Sequence, residues 1–327
     1  MSWVIQQKHG IHLPQIGWSL DATRRADRAF VSHAHSDHMA RHAEVLCTRA
    51  TARLMRARLP SNKRTEHVLP FGHTEQLTPY CTVTLHPAGH ILGSAQILLD
   101  HAAHGTLLYT GDFKLHPGHA AEKCATPRAD TLIMETTFGL PRFVFPPADE
   151  IIANLITFCR QTLADGATPV LLCYSLGKSQ EVLRALAPAG LPIMLQSETH
   201  RLTRICAQLG LDFPPHAEFD AANHAGHVVL CPPHAPGLLK RIAAPRTAAV
   251  TGWALDSRNF HGAATAAAFP LSDHADFPSL LRYVELVQPK RVLTLHGYAK
   301  EFAATLRARG IEATPLGADY QCELRLA

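Results

Sequence analysis

Over its first 140 residues the chain repeats one pattern: a short apolar run that ends on a single polar residue. Trp18 and Leu20 alternate with Ser19 ahead of Asp21, and Ala29-Phe30-Val31 leads into Ser32. Tyr80 to His86 alternates cleanly and runs into a glycine-punctuated loop, Pro87 to Ser94. Gln96–Leu99 and Thr106–Thr110 read as a hairpin ending at Gly111-Asp112, and Thr131–Met134 delivers Glu135. Period-two alternation bounded by turn residues predicts strands. Reactive groups are usually carried at strand ends on such a scaffold. Past the proline-rich stretch 141–147 the pattern changes. Helical periodicity over 151–163, 178–186 and 199–209 alternates with apolar runs at 169–174, 191–195 and 228–231. That β-α alternation predicts an inserted α/β module. Residues 248–253 read as a return to the first pattern, so the expected segments are 1–140, 141–248 and 249–327. No internal repeat is visible.

Composition narrows the class without choosing a function. In 327 residues, 46% are hydrophobic and 18% charged, which describes a globular chain with a sizeable core. A net charge of +4 permits a polyanionic partner without demanding one. The eight cysteines, Cys322 among them, form no C-x-x-C pair, and those in apolar runs such as Cys173 read as buried small hydrophobes. With no signal-peptide pattern and no apolar run of spanning length, a reduced cytoplasmic setting without membrane contact is expected.

Candidate chemistry concentrates in Val31-Ser32-His33-Ala34-His35-Ser36-Asp37-His38. On an extended backbone, side chains two apart point the same way, so His33 and His35 can face one metal. The following turn swings Asp37 and His38 towards a second. Neutral imidazole and carboxylate hold Zn²⁺ while leaving it Lewis-acidic. His90 in its glycine loop is a candidate third imidazole for the first ion, and the Asp112 carboxylate can bridge two ions. Near the C-terminus, His274 lies between Asp273 and Asp276, and His296 ends the apolar run 292–295. The Arg-rich stretch 48–58 reads as a solvated helix face, with a phosphate-contacting surface as the second reading.

His33-x-His35-x-Asp37-His38, then His90, then Asp112 resembles the metallo-β-lactamase superfamily. Glu135, His274 and His296 match the further motifs of its β-CASP nucleic-acid-processing branch, and Asp21 resembles its first motif, an acid that braces the ligand loop. The similarity spans nearly the whole chain in order. It is nearest to the bacterial ligase-associated DNA exonucleases, relatives of the DNA-crosslink-repair nucleases. The resemblance implies an α/β (α+β) fold: an αββα sandwich with an inserted α/β β-CASP cassette. It assigns His33, His35, His90 and Asp112 to one divalent metal, and Asp37, His38, Asp112 and His296 to the other, zinc or manganese. Two such ions supply a nucleophilic water near neutral pH and take up charge on the phosphate oxygens. The leaving 3′-oxygen then needs a proton. His274 is the candidate general acid, with Glu135 holding its imidazole charged and oriented.

The expected activity is that of a DNA phosphodiesterase, a 5′-to-3′ exonuclease preferring single strands, acting in DNA repair and leaving 5′-phosphate and 3′-hydroxyl ends. An RNA-processing β-CASP ribonuclease is the alternative. The implied partners are DNA, single-stranded or with a free 5′ end, and an ATP-dependent DNA ligase and helicase. In the insert, Gly177-Lys178-Ser179 follows a strand and opens a helix, but the position of the earlier P-loop glycine is Leu172. Ser175, Lys178 and Ser179 at a helix N-terminus still suit a phosphate. This stretch resembles the β-CASP segment that lines the substrate groove, so Lys178 is expected to read a terminal 5′-phosphate.

Overall fold

The computed structural model describes residues 2–61, 63–256 and 265–317. In chain order the strands begin β1 (Gln6–Gln7), β2 (Ile11–Leu13), β3 (Trp18–Leu20), β4 (Arg28–Phe30) and β5 (Glu44–Cys47). Helix α1 (Arg49–Arg58) precedes β6 (Thr65–Val68), β7 (Thr74–Thr78), β8 (Cys81–Pro87), β9 (Ala95–His101), β10 (Gly105–Tyr109) and β11 (Thr131–Glu135). Then come α2 (Ala148–Ala164), β12 (Thr168–Leu172), α3 (Lys178–Ala185), β13 (Ile193–Leu195), α4 (Ser197–Gln208), β14 (Ala217–Glu218) and β15 (Val228–Cys231). The remainder is α5 (Pro236–Leu239), β16 (Pro245–Val250), β17 (Ala267–Phe269), α6 (Phe277–Val287), β18 (Arg291–Leu295), α7 (Ala299–Ala308) and β19 (Glu312–Pro315). These elements form two compact units, divided near Val144 and Asp273.

The first unit is an αββα sandwich, and the alternation of its strands shows why. Strands β1 to β6 form one sheet in sequence order, and the other runs β19-β18-β11-β10-β9-β8-β7. Leu107 and Tyr109 of β10, Ile133 of β11, and Leu293 and Leu295 of β18 point inward. There they pack with Leu20, Phe30 and Leu46 of the facing sheet. The residues between them, Leu108, Leu132, Met134 and Val292, face the other way onto Leu280, Tyr283 and Val284 of α6 and Phe302 and Leu306 of α7. The first sheet is covered in turn by α1, whose Ala52 and Met55 pack on Val45 and Cys47. Each inner side chain of this size stabilises the fold by roughly 1.5–3 kcal/mol. The hairpin read over 96–110 is present as the antiparallel pair β9–β10.

The second unit has a parallel sheet ordered β14-β13-β15-β12-β16-β17. One face carries Leu171, Leu195, Leu230 and Val250 against Leu155 of α2 and Val182 of α3. The other buries Val170, Met194 and Val229 with Ile242. Apolar residues on both faces explain why these strands read as continuous hydrophobic runs.

The segment boundary expected at residue 248 differs from this division. Strand β16 pairs with β12, and β17 pairs with β16, so the second unit continues to Asp273. A buried apolar run such as Ala248–Val250 looks the same whichever sheet receives it, so its periodicity could not assign it. The seven described cysteines are buried and unpaired, and Cys322 lies outside the described residues.

Lys178 also departs from expectation. It is 2% exposed, and its ammonium donates to the Leu271 carbonyl at 2.7 Å and pairs with Asp273 at 3.1 Å. The cation therefore closes a contact inside its own unit instead of meeting solvent. Ser179 is buried as well, its hydroxyl donating to the Tyr174 carbonyl at 2.7 Å, while Ser175 is half-buried. Removing one partner of a buried pair strands the other charge. Lys178→Ala is thus expected to lower stability by about 3–5 kcal/mol in urea unfolding. A midpoint unchanged within error would contradict the buried pair.

Candidate metal centre

The site is assembled from the loops that leave strand ends in the first unit. β4 ends at Phe30, and the next eight residues carry Ser32, His33, His35, Asp37 and His38. The loop between β8 and β9 carries His90, and its turn is fixed by the Ser94 hydroxyl, which accepts from the amides of His90 and Ile91 at 3.1 and 3.2 Å. Asp112 follows β10, Glu135 ends β11, and His296 follows β18.

Four of these side chains converge. One ligand atom from each of His33, His35, His90 and Asp112 lies within 4.8 Å of all the others. His35 Nδ1 is 3.0 Å from His33 Nε2 and 3.2 Å from His90 Nε2. Asp112 Oδ2 stands 3.6 Å from His33 Nε2 and 3.9 Å from His90 Nε2. Donors at about 2.1 Å around a tetrahedral ion are separated by about 3.4 Å, so this set fits a divalent cation. A second group shares the same oxygen: His38 Nε2 is 3.2 Å from Asp112 Oδ2 and 3.7 Å from Asp37 Oδ2. The His296 ring lies 6.0 Å from that of His38, centroid to centroid. Asp112 Oδ2 is thus common to both groups, as a bridging carboxylate requires.

Asp21 organises the ligands without joining them. Its Oδ1 accepts from the Ser32 amide at 2.7 Å. Its Oδ2 accepts from the Ser32 hydroxyl at 2.6 Å, the Tyr109 hydroxyl at 2.8 Å and His38 Nδ1 at 2.9 Å. With Nδ1 donating, His38 turns Nε2 to Asp37 and Asp112. The Ser32 hydroxyl, its proton given to Asp21, accepts from His33 Nδ1 at 2.9 Å, which leaves His33 Nε2 with a lone pair for a cation. Asp21 and His296 both adopt left-handed backbone, at φ 45° and 60°. Strained conformations of this kind persist where surrounding bonds enforce them. At His296 the enforcing bond comes from the Thr136 hydroxyl, which donates to its carbonyl at 2.7 Å. The neighbouring Gly297, at φ 55°, has no room for a side chain: a Cβ there would stand 2.4 Å from Thr137 Cα. Partners one shell beyond metal ligands typically contribute 10–100-fold in affinity. Asp21→Asn is therefore expected to weaken zinc binding by about that factor in a chelator-competition titration. Wild-type affinity in that variant would contradict the bracing role.

Protonation follows burial and charge. Burial holds the His33 imidazole well below its ordinary value, helped by His38, His35 and His90. Burial likewise lowers His296. For His38 burial opposes the charge, but the Asp112 and Asp21 carboxylates outweigh it and hold the ring well above its ordinary value. Burial would raise Asp112, yet His38, with its hydrogen bond, and His274 and His33 keep that carboxyl well below the usual range. Asp37 is also lowered, His38 and His35 overcoming its burial. A cation entering beside His38 must displace a proton, which becomes harder as pH falls.

Glu135 and His274 form a couple that adjoins this cluster, one ligand atom from each of Asp112, Glu135 and His274 lying within 4.8 Å of the others. His274 Nδ1 is 2.8 Å from Glu135 Oε1, which also accepts from the Phe113 amide at 2.9 Å. The other carboxylate oxygen accepts from the Thr137 hydroxyl and from its amide at 3.3 Å. Glu135 is 1% exposed, whereas His274 is partly open and its ring lies 4.6 Å from that of His90. Asp21, His33, His35, Asp37, His38, His90, Asp112, Glu135, His274 and His296 are thus neighbours in the first unit. Ser175, Lys178 and Ser179 belong to the second unit, at the start of α3. Ser32, Tyr109 and Thr137 were not singled out from the sequence. Of these, only Ser32 carried a signal, its place directly before His33.

This sandwich, with a shared carboxylate among strand-end histidines and a second α/β unit inserted in the chain, defines a class: the chain belongs to the metallo-β-lactamase superfamily of metal-dependent hydrolases, in its β-CASP branch. Residues 263–314 match the RMMBL family model, described as a Zn-dependent metallo-hydrolase RNA specificity domain. The chain is 59% identical over 326 residues to a probable DNA ligase of Opitutus terrae, covering 99% of this chain and 32% of that protein. It is 23% identical over 317 residues to the human DNA cross-link repair 1A protein, covering 86% of this chain and 30% of the relative. With the transcription termination factor FttA of Methanocaldococcus jannaschii it shares 31% identity over 194 residues, 49% of this chain and 30% of that protein. The chain thus spans about a third of the length of these relatives. Among the described residues no helix is long and apolar enough to cross a membrane.

Proposed function

We propose that this chain is a binuclear-metal phosphodiesterase that degrades DNA, as a 5′-to-3′ exonuclease preferring single strands. The observation that carries this reading is Asp112 Oδ2, shared between the His33–His35–His90 group and the Asp37–His38 pair, with the Glu135–His274 couple beside it. Two divalent ions held there, zinc or manganese, would supply a nucleophilic water and neutralise charge on the phosphate. The chain's own contribution is to orient and to transfer a proton. His33, His35, His90 and Asp112 would hold one ion, and Asp37, His38, Asp112 and His296 the other. Asp21 and Ser32 fix the tautomers of His38 and His33. Glu135, held by the Phe113 amide and by Thr137, accepts from His274 Nδ1 and favours the charged imidazolium, in which Nε2 also carries a proton to give to the departing 3′-oxygen. The products are a 5′-phosphate and a 3′-hydroxyl.

Two names support DNA and repair as the setting: the probable DNA ligase of Opitutus terrae and the human DNA cross-link repair 1A protein. The first also supports action beside a DNA ligase; an ATP-dependent ligase working with a helicase is the pairing we propose. The RNA specificity description of the family model favours a second reading, an RNA-processing ribonuclease with the same chemistry. One assay separates them. Purified protein is incubated with 5′- or 3′-labelled single-stranded DNA and RNA of one sequence, with Mn²⁺ or Zn²⁺, and the product ladder is read. Mononucleotides released first from the 5′ end of DNA are expected. Cleavage of RNA alone would transfer the proposal to the second reading, and no cleavage of either would refute both.

A further inference from the structure

We infer that a basic track on the first unit, along α1 and into a concavity lined by Arg25, Arg41 and Lys63, binds the phosphodiester backbone of a nucleic-acid strand outside the metal centre. This deepens the proposed function and rests on it only for the identity of the polymer. The charge is local. Residues 24–66 hold ten Lys or Arg against four Asp or Glu, whereas the rest of the chain holds 21 against 23. The segment is therefore more positive than the whole molecule.

The fold turns much of that excess outward. On α1, Thr51, Ala52, Leu54 and Met55 are buried, and Arg49, Arg53 and Arg56 are exposed on the opposite face. Both ends of the helix touch loops of the metal centre. Thr48 and Thr51 donate to the Gly93 carbonyl at 2.7 and 3.0 Å, three residues past His90. Arg58 donates to the carbonyl of Ala34, between His33 and His35. Two residues beyond α1 opens a concavity of about 470 Å³, lined by Arg25, Arg41, His42, Ala43, Pro60, Ser61 and Lys63. Arg41 is steadied by the Pro60 carbonyl at 3.3 Å. None of the ion pairs among the described residues involves Arg25, Arg41 or Lys63. Two of the four acids in this segment are engaged elsewhere: Glu66 with Arg56 and Arg64, and Glu44 with Arg28 and His67. A ten-residue helix is about 15 Å long, so helix and concavity together suit a repeating anion better than one small phosphate. A cationic groove that follows the backbone is how single strands are held without reading sequence.

The test uses the full chain carrying Arg25→Ala, Arg41→Ala and Lys63→Ala together. Fluorescence anisotropy follows binding of labelled 30-nucleotide and 6-nucleotide DNA across a KCl series. Each lost phosphate contact lowers the salt slope by about 0.7 on single strands, so a fall of about 2 is expected for the 30-mer. Its affinity at low salt should drop at least ~10-fold, with the 6-mer unaffected. Hydrolysis of bis(4-nitrophenyl) phosphate should stay at the wild-type rate. The charge-conserving Arg25→Lys, Arg41→Lys, Lys63→Arg variant should keep the wild-type slope, which separates charge from damage to the fold. An unchanged 30-mer slope in the alanine variant would overturn the inference, as would loss of binding to poly-glutamate alone, the mark of an acidic protein partner. A reduced slope in a protein that cleaves neither DNA nor RNA would uphold the track while refuting the proposed function.

Discussion

Asp112→Asn is expected to empty both metal positions together and to lower hydrolysis of a labelled single strand by about 10³-fold or more, the equivalent of about 4 kcal/mol of transition-state stabilisation. The reason lies in one oxygen. Asp112 Oδ2 faces His33 and His90 at 3.6 and 3.9 Å and His38 at 3.2 Å. An amide of the same size keeps the packing but gives up the charge that two cations would share. The carboxyl is well suited to that task, because His38, His274 and His33 overcome its burial and keep it ionised. Metal content of the purified variant by mass spectrometry, read beside the turnover rate, checks the expectation. Loss of a single ion with the other retained at full occupancy would show that Asp112 serves one position and bridges nothing.

His274→Ala should separate chemistry from metal binding. The variant is expected to keep wild-type metal content and to lose about 10²–10⁴-fold in turnover on DNA, the usual contribution of a positioned acid. Leaving-group chemistry provides the diagnostic. A 4-nitrophenyl phosphodiester expels a phenolate that needs no proton, so the variant should cleave it at close to the wild-type rate. Glu135 acts through His274, with Nδ1 and Oε1 2.8 Å apart, so Glu135→Gln should lower turnover on DNA while leaving the 4-nitrophenyl reaction in place. Metal lost in step with activity in His274→Ala would make His274 a ligand instead.

Legibility in the sequence varied with the range of the contact. Residues 33–38 could be read directly, because a strand followed by a turn dictates which neighbours face one point. The strands β8 to β10 were legible from alternation, where successive side chains go to opposite sides of the sheet, whereas the sandwich they build came from the family resemblance. The roles of Glu135, His274 and His296 came from family resemblance, since nothing local to a lone histidine reveals a partner 139 residues away. Tyr109 looked like an ordinary strand residue, and only the packing of one sheet on the other brings its hydroxyl to Asp21. Helices α6 and α7 went unread, although their buried faces complete the outer layer. Lys178 misled for a physical reason. A lysine at a helix start after Gly177 has the local pattern of a phosphate binder, and the carbonyl and carboxylate that claim it lie more than 90 residues on.

Anomalous diffraction from crystals of active protein soaked in Mn²⁺ or Zn²⁺ is the most direct measurement of the metal centre. Two peaks about 3.5–4 Å apart are predicted, one among His33, His35 and His90, the other beside Asp37, His38 and His296, with Asp112 between them. A single peak, or none, in a preparation that still cleaves nucleic acid would contradict a binuclear centre on these residues.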